Sequence, residues 1–309
     1  MFLQVNLNTI LFFVLLGILA SCKNRQNFND KAEKEVVLRL EPGEGNPRNS
    51  EGDFIPLNDG RILFIYTKFT GGASDHAHAH LASRISSDKG KTWSSRDIEV
   101  VPNEAVLNVM SVSLLRLNDG RIALFYLRKN SVSDCIPFMR ISNNETNTWS
   151  KPHRCIDTTG YFVLNNDRVI QLKNGRIIMP VALHALKGAG IDPNAAIMCY
   201  FSDDYGVTWH KSNQVENQDN ITLQEPGVCE LNDGKLLLYC RTNKGVQYFS
   251  RSDDFGENWT PVIAGNIKSP LSPASVKRIP KTGDLLLIWN NNGIDEKAVS
   301  YTHLTLPTN

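Results

Sequence analysis

The 309-residue chain has no CxxC pair, no strong excess of charge of either sign, and no apolar run long enough to span a bilayer as a stable helix. Each absence excludes something. Beyond Cys22 there are five cysteines, Cys135, Cys155, Cys199, Cys229 and Cys240. An odd set without close pairs argues against both a disulfide framework and a zinc ribbon, so buried free thiols are expected. The net charge is +1 and 41% of residues are hydrophobic. That is a globular composition without a basic field to attract nucleic acid. No long stretch of 3.6-residue period competes with the short runs rich in β-branched and aromatic residues, which points away from helices.

An apolar run at 10–20 is followed by Leu19-Ala20-Ser21-Cys22, which resembles a bacterial lipobox, although no Lys or Arg precedes the run. This predicts a lipoprotein signal peptide over 1–21 and lipid attachment at Cys22. The polar segment 22–35 reads as a flexible tether. The implied location is exported and lipid-anchored to a bacterial membrane, periplasmic or at the cell surface, with no other membrane contact. A monomer is the simplest expectation for such a chain.

What is present is a repeat. LNDGRIL at 57–63 returns as LNDGRIA at 117–123, LKNGRII at 172–178, LNDGKLL at 231–237 and, more weakly, KTGDLLL at 281–287. An Asn/Asp-Gly pair between apolar runs marks a tight hairpin, because glycine tolerates the positive φ such turns need. A second mark is SSDKGKTW at 86–93, SDDYGVTW at 202–209 and SDDFGENW at 252–259, with a degenerate SNNETNTW at 142–149. The turn glycines 60, 120, 175, 234 and 283 are spaced by 60, 55, 59 and 49 residues. A period near 50 with four short strands per unit predicts an all-β propeller over 36–300. The segment 301–309 carries neither mark and reads as an anomalous tail.

Phase within the repeat sorts the polar residues. The second mark falls on the same edge as the Asn-Asp-Gly turn, so Asp88, Asp204 and Asp254 read as structural. The opposite edge collects Arg48 and Asp75 from the first repeat, Asn108 and Arg128 from the second, Asn166, Asp167, Arg168 and His184 from the third, and Glu225 and Arg241 from the fourth. Charged residues gathered at one mouth of a propeller channel suggest a ligand site. Asp167 and Arg168 could contact substrate or pair with each other.

These marks resemble the Asp-box, or BNR, repeat, and the series Arg48, Gly60, Asp75 and 86–93 resembles the bacterial exo-sialidase (neuraminidase) family. Its six-bladed propeller would be represented here by about five blades, as in a chain truncated at its C-terminus. The resemblance extends to Glu225 and Arg241 and covers about residues 45–295. It implies an exo-α-sialidase that releases terminal sialic acid from glycoconjugates by a retaining mechanism, without a cofactor or metal. Arg48 and Arg241 would hold the substrate carboxylate through charge-assisted hydrogen bonds. Asp75 would serve as acid/base beside His76, and Glu225 as base for a tyrosine nucleophile. Neither Arg278 nor Tyr301 stands in the family's context for its third arginine or its nucleophile. Arg128, Asp167, Arg168 and His184 would contact substrate.

Two alternatives stand beside this one: a glycoside hydrolase of the same scaffold acting on another acidic sugar, and a non-catalytic glycan-binding propeller. His76, His78 and His80 alternate and would share one face of a strand, where a zinc site completed by His184 is the less favoured reading.

Overall fold

The computed structural model describes residues 36–291 and the strand at 301–306. The signal and tether segments, with Cys22, lie outside the described residues. No helix occurs among the described residues, as the absence of helical periodicity predicts.

Each Asn/Asp-Gly turn closes a hairpin. In the first sheet, β1 (Arg48–Pro56), β2 (Ile62–Phe69), β3 (Ala79–Ser86) and β4 (Ile98–Val101) pair in chain order. The second repeat supplies β5 (Asn108–Arg116), β6 (Ile122–Ser131), β7 (Asp134–Ser142) and β8 (His153–Arg154). The third supplies β9 (Tyr161–Val163), β10 (Ile170–Gln171), β11 (Ile177–His184), the ribbon β12 (Leu186–Lys187) and β13 (Gly190–Ile191), then β14 (Ala196–Ser202) and β15 (His210–Lys211). A single parallel pairing, Cys135 with Tyr161, links the second and third repeats into one sheet. The fourth sheet holds β16 (Leu223–Glu230), β17 (Leu236–Thr242), β18 (Val246–Ser252) and β19 (Ile263–Lys268). The last holds β20 (Ala274–Arg278), β21 (Leu285–Asn290) and β22 (Tyr301–Leu306). The segment that the sequence sets apart as a tail thus contributes β22, pairing Asn290 with Tyr301 through Leu285 with Leu306.

The apolar cores lie between successive repeats, as the alternation of side chains in each strand requires. Ile65 and Leu81 of the first repeat pack against Val112, Leu124 and Tyr126 of the second. Phe125 and Met139 meet Phe162, Met179 and Tyr200. Ile178 and Phe201 meet Leu236, Leu238 and Trp259, and Cys229 and Tyr239 meet Val276 and Trp289. Each fully buried Leu, Ile or Phe in these layers contributes about 1.5–3 kcal/mol. All five cysteines of the described residues are free and buried.

The Ser-x-Asp turns have one geometry. Asp204 accepts the Thr208 amide at 2.9 Å and its hydroxyl at 2.6 Å, while Trp209 Nε1 donates to the Gly206 carbonyl at 3.1 Å. Asp88 and Asp254 do the same work, and hydrogen bonds from Thr92 hold the Asp88 carboxyl down at about 2. These carboxylates are occupied by their own turns and are not free for chemistry.

The inner strands are interrupted at one recurrent place. The β1–β2 register slips between Ser50 and Asp53, the β5–β6 register between Met110 and Ser113, and the β16–β17 register between Gln224 and Gly227. The bulged residues Glu51, Ser111 and Glu225 have φ of 52°, 62° and 50°. In the third repeat the chain leaves the sheet over 164–169, between β9 and β10, and Asp167 has φ 59°. A non-glycine residue pays of order 1 kcal/mol or more for this left-handed backbone, and such bulges re-aim side chains next to functional sites.

Candidate active site

The bulges face a cavity of about 230 Å³. Asp75 from the β2–β3 loop and Glu225 from β16 both line it, although 150 positions separate them in the chain (75 to 225). Behind each carboxylate stands an arginine. Arg48 Nη1 donates to Asp75 Oδ1 at 2.5 Å, and Arg241 Nη1 donates to Glu225 Oε1 at 2.6 Å. Arg48 is further held by the Phe69 ring, 4.5 Å from its guanidinium carbon. The four residues singled out from the sequence as the heart of the site are therefore brought together, as two ion pairs.

The Asp75 loop is pinned from the second repeat. Asn108 Nδ2 donates to the Asp75 and Ala77 carbonyls at 2.9 and 2.8 Å, and Lys129 Nζ donates to the Asp75 carbonyl at 2.9 Å. Partial desolvation pushes the Asp75 carboxyl up, but the hydrogen bond and charge of Arg48, with Lys129 behind them, outweigh it and hold the group below the usual carboxylate range. Asp75 is thus ionised at neutral pH. On the other side, Glu225 Oε2 and Arg241 Nε are buried without a hydrogen-bond partner, and Glu225 Oε2 is an acceptor open to an incoming group.

His184 lines the cavity, its Nδ1 2.7 Å from the Asp192 carbonyl oxygen, and burial lowers its pKa so that the ring is neutral. His76 lies exposed in the Ser74–Ala77 turn and is not among the lining residues. The alternating histidines do not share a strand face, because β3 begins at Ala79 and only His80 lies within it. Among the described residues no group of three His, Cys, Asp or Glu could hold a metal ion.

Three expected contacts are corrected. Arg128 points away from the cavity: its guanidinium lies 4.4 Å from the Phe138 ring centre and donates to the Glu104 carbonyl at 2.6 Å. Strand alternation is the reason, since the next residue, Lys129, faces the cavity instead. Lys68 occupies the place of Arg128 in the first repeat and likewise faces away from the cavity, pairing with Asp97 at 2.6 Å. Asp167 does not pair with Arg168; its carboxylate binds Lys277 of the last repeat and lies 3.4 Å from Ser275 Oγ. Arg168 is buried, donates to the Ala274 carbonyl at 2.7 Å and stacks near Tyr239, so it ties the third repeat to the last. Neither lines the cavity.

Sequence reasoning missed Glu51, Lys129, Tyr161, Asn165 and Gln224, all of which line the cavity. A signal for Glu51 was there: it stands six positions before the leucine of its turn, as Glu225 does (Glu51 to Leu57, Glu225 to Leu231). Tyr161 gave none, because it opens β9, an inner strand whose interruption after Val163 the sequence does not show.

This fold and mouth define the class, an all-β propeller of the sialidase type. Among solved structures, a protein of unknown function from Dyadobacter fermentans superposes with a TM-score of 0.72 at 19% identity, over 87% of this chain and 81% of its own. The intramolecular trans-sialidase from Ruminococcus gnavus, in complex with oseltamivir carboxylate, superposes with a TM-score of 0.65 at 14% identity over 88% of each chain. In sequence, a sialidase from Clostridium perfringens is 28% identical over 271 residues, 77% of this chain and 69% of that protein. The BNR repeat-like domain family matches residues 99–304, more than half of the chain, and the chain belongs to that family.

Proposed function

We propose that the protein is an exo-α-sialidase, a glycoside hydrolase removing terminal sialic acid from sialylated glycans. The observation that supports this reading most directly is the cavity shared by Asp75 and Glu225, each backed by an arginine. A substrate carboxylate entering there exchanges for the carboxylates now held by Arg48 and Arg241, and the planar guanidinium fork suits that bidentate exchange. Carboxyl groups on the Asp75 side then serve the departing oxygen. A retaining course needs a nucleophile. Tyr161 is the phenol this cavity supplies.

A second reading, hydrolysis of a different acidic sugar, is favoured by Lys129. Its ammonium is buried at the cavity and bonded to a main-chain carbonyl rather than to a carboxylate. That leaves it free to meet an anionic group other than the one at the anomeric carbon.

The test is hydrolysis of a fluorogenic sialoside, a uronide and a neutral hexoside, with Asp75→Asn and Glu225→Gln alongside. The proposal expects sialoside cleavage that falls about 10²- to 10⁴-fold in each variant. Cleavage of the uronide alone would transfer the proposal to the second reading, and cleavage of the hexoside alone would end both.

A further inference from the structure

Two carboxamides line the cavity, those of Asn165 and Gln224. Gln224 Nε2 donates to the Pro193 carbonyl at 3.0 Å. Asn165 is 8% exposed, and among the described residues its side chain makes no hydrogen bond at either end. A buried carboxamide with an empty acceptor and an empty donor is unfavourable in a folded chain unless something from outside fills both.

The place of Asn165 is nonetheless fixed. Tyr161, Val163 and Asn165 alternate along β9 and its exit, and all three line the cavity. The backbone around Asn165 is tied to the first two repeats. Its carbonyl accepts from Ser113 Oγ at 3.4 Å, Asn166 Nδ2 donates to the Gly52 carbonyl at 3.2 Å, and the Asp167 amide donates to the Val112 carbonyl at 2.9 Å. The carboxamide is held at the cavity by its main chain while its own bonding groups stay unused, which is how a preorganised ligand contact is built.

We propose that Asn165 is a specificity-determining residue whose carboxamide grips two adjacent hydroxyl groups of the sugar acid. One hydroxyl donates to Oδ1 and its neighbour accepts from Nδ2. This rests on the glycoside hydrolase reading given above. Other groups of such a substrate fit the carboxamide less well. A carboxylate only accepts and leaves Oδ1 empty. An N-acyl group is a trans amide, whose N–H and C=O point to opposite sides and cannot both meet one carboxamide. Adjacent hydroxyls bring a donor and an acceptor side by side. His184 extends the same wall, since β11 sets it opposite Tyr161. Its Nδ1 faces the Asp192 carbonyl, which only accepts, so Nε2 of the neutral ring is one more acceptor for a hydroxyl. In a sialoside, adjacent hydroxyls occur only on the exocyclic three-carbon chain. That chain would therefore lie against β9 while the carboxylate meets Arg48 and Arg241.

The experiment is a double-mutant cycle between protein and substrate. Wild type and Asn165→Leu are compared on an intact aryl sialoside and on one whose side chain has been shortened by mild periodate cleavage and borohydride reduction. Wild type is expected to lose about 10- to 100-fold in kcat/KM when the diol is removed, and Asn165→Leu to lose the same on the intact substrate. On the shortened substrate the variant should match wild type within about 3-fold, because the bonds it lacks are already gone. Equal losses by the variant on both substrates, or no loss by wild type on shortening, would overturn the inference. Should Asn165→Leu fail to fold, Asn165→Ala enters the same cycle with the same expectations. If wild type cleaves only the uronide, its 3-deoxy analogue, which has no adjacent hydroxyls, replaces the shortened sialoside. A wild type that cleaves no glycoside ends the functional reading, and binding then decides the Asn165 inference separately. The Asn165 side-chain amide pair, identified by its absence from the variant's ¹⁵N spectrum, must shift with free N-acetylneuraminic acid or glucuronic acid. A pair that moves with neither overturns it.

Discussion

At the scale of single residues, the channel wall sorts carboxyl groups by what stands beside them. Asp75 is held below the usual carboxylate range because Arg48 is bonded to it, whereas burial pushes Glu51 above that range against the pull of its Ser111 hydrogen bond. Asp53 is a third case. It is 7% exposed, accepts the Phe54 and Leu114 amides at 2.7 Å each, and is pushed up to about 7 by burial and by the neighbouring charge of Asp167, against the pull of Lys277. The folded chain therefore holds a proton that the unfolded chain has released, and unfolding sets it free. The contribution of this group to stability accordingly declines as pH rises from 3.8 to about 7 and is flat above. Urea midpoints of wild type and Asp53→Asn at pH 5 and pH 8 check this: the difference must shift in favour of the variant at pH 8. An unchanged difference would mean that Asp53 releases its proton in the folded chain as well.

At the scale of elements, the turns were fully legible and the bulges were not. A turn such as 202–209 is a local object: its serine, aspartate, glycine and tryptophan satisfy one another within eight residues, so their spacing is enough to announce it. The chain even contains its own mutational control. In the second repeat Asn144 replaces the aspartate and still accepts the Thr148 amide at 3.0 Å while donating to its hydroxyl at 2.8 Å. Asp204→Asn is therefore expected to cost little, and Asp204→Ala, which removes the hydrogen bonds from the Ser202 hydroxyl and from the Thr208 amide and hydroxyl, about 1–3 kcal/mol. Chemical denaturation of the two variants measures the gap, and equal losses would show that charge rather than the bonding pattern holds the turn. The bulges, by contrast, are defined by a register between strands. That is why Arg128 was expected at the mouth and Lys129 was overlooked: side-chain alternation is visible in sequence, but which parity faces inward depends on where the partner strand slips.

At the scale of the whole molecule, the cores between repeats make each sheet depend on the next. Cys135, Cys155, Cys199, Cys229 and Cys240 are spread over three successive repeats, and burial drives the Cys135 and Cys229 thiols up to about 12. In a Cys22→Ser background, none of the five should react with Ellman's reagent at pH 8 until the chain unfolds, and all should then react in one cooperative phase. An early reaction of one or two thiols would show that single repeats open independently. The parallel link between β7 and β9 at Cys135 and Tyr161 is the place where such opening would have to break the sheet first.

Composition, period and the two turn motifs were enough to determine an all-β propeller, the edge on which the structural aspartates sit, and the grouping of Arg48, Asp75, Glu225 and Arg241. Each of those follows from local hydrogen bonding or from phase within a repeat, and both are written along the chain. Only the tertiary structure decided that Arg128 turns outward, that Asp167 binds Lys277 rather than Arg168, and that Glu51, Lys129 and Tyr161 share the cavity. Those outcomes depend on strand register and on which repeat lies across the channel, and neither is encoded in the spacing of residues within one repeat.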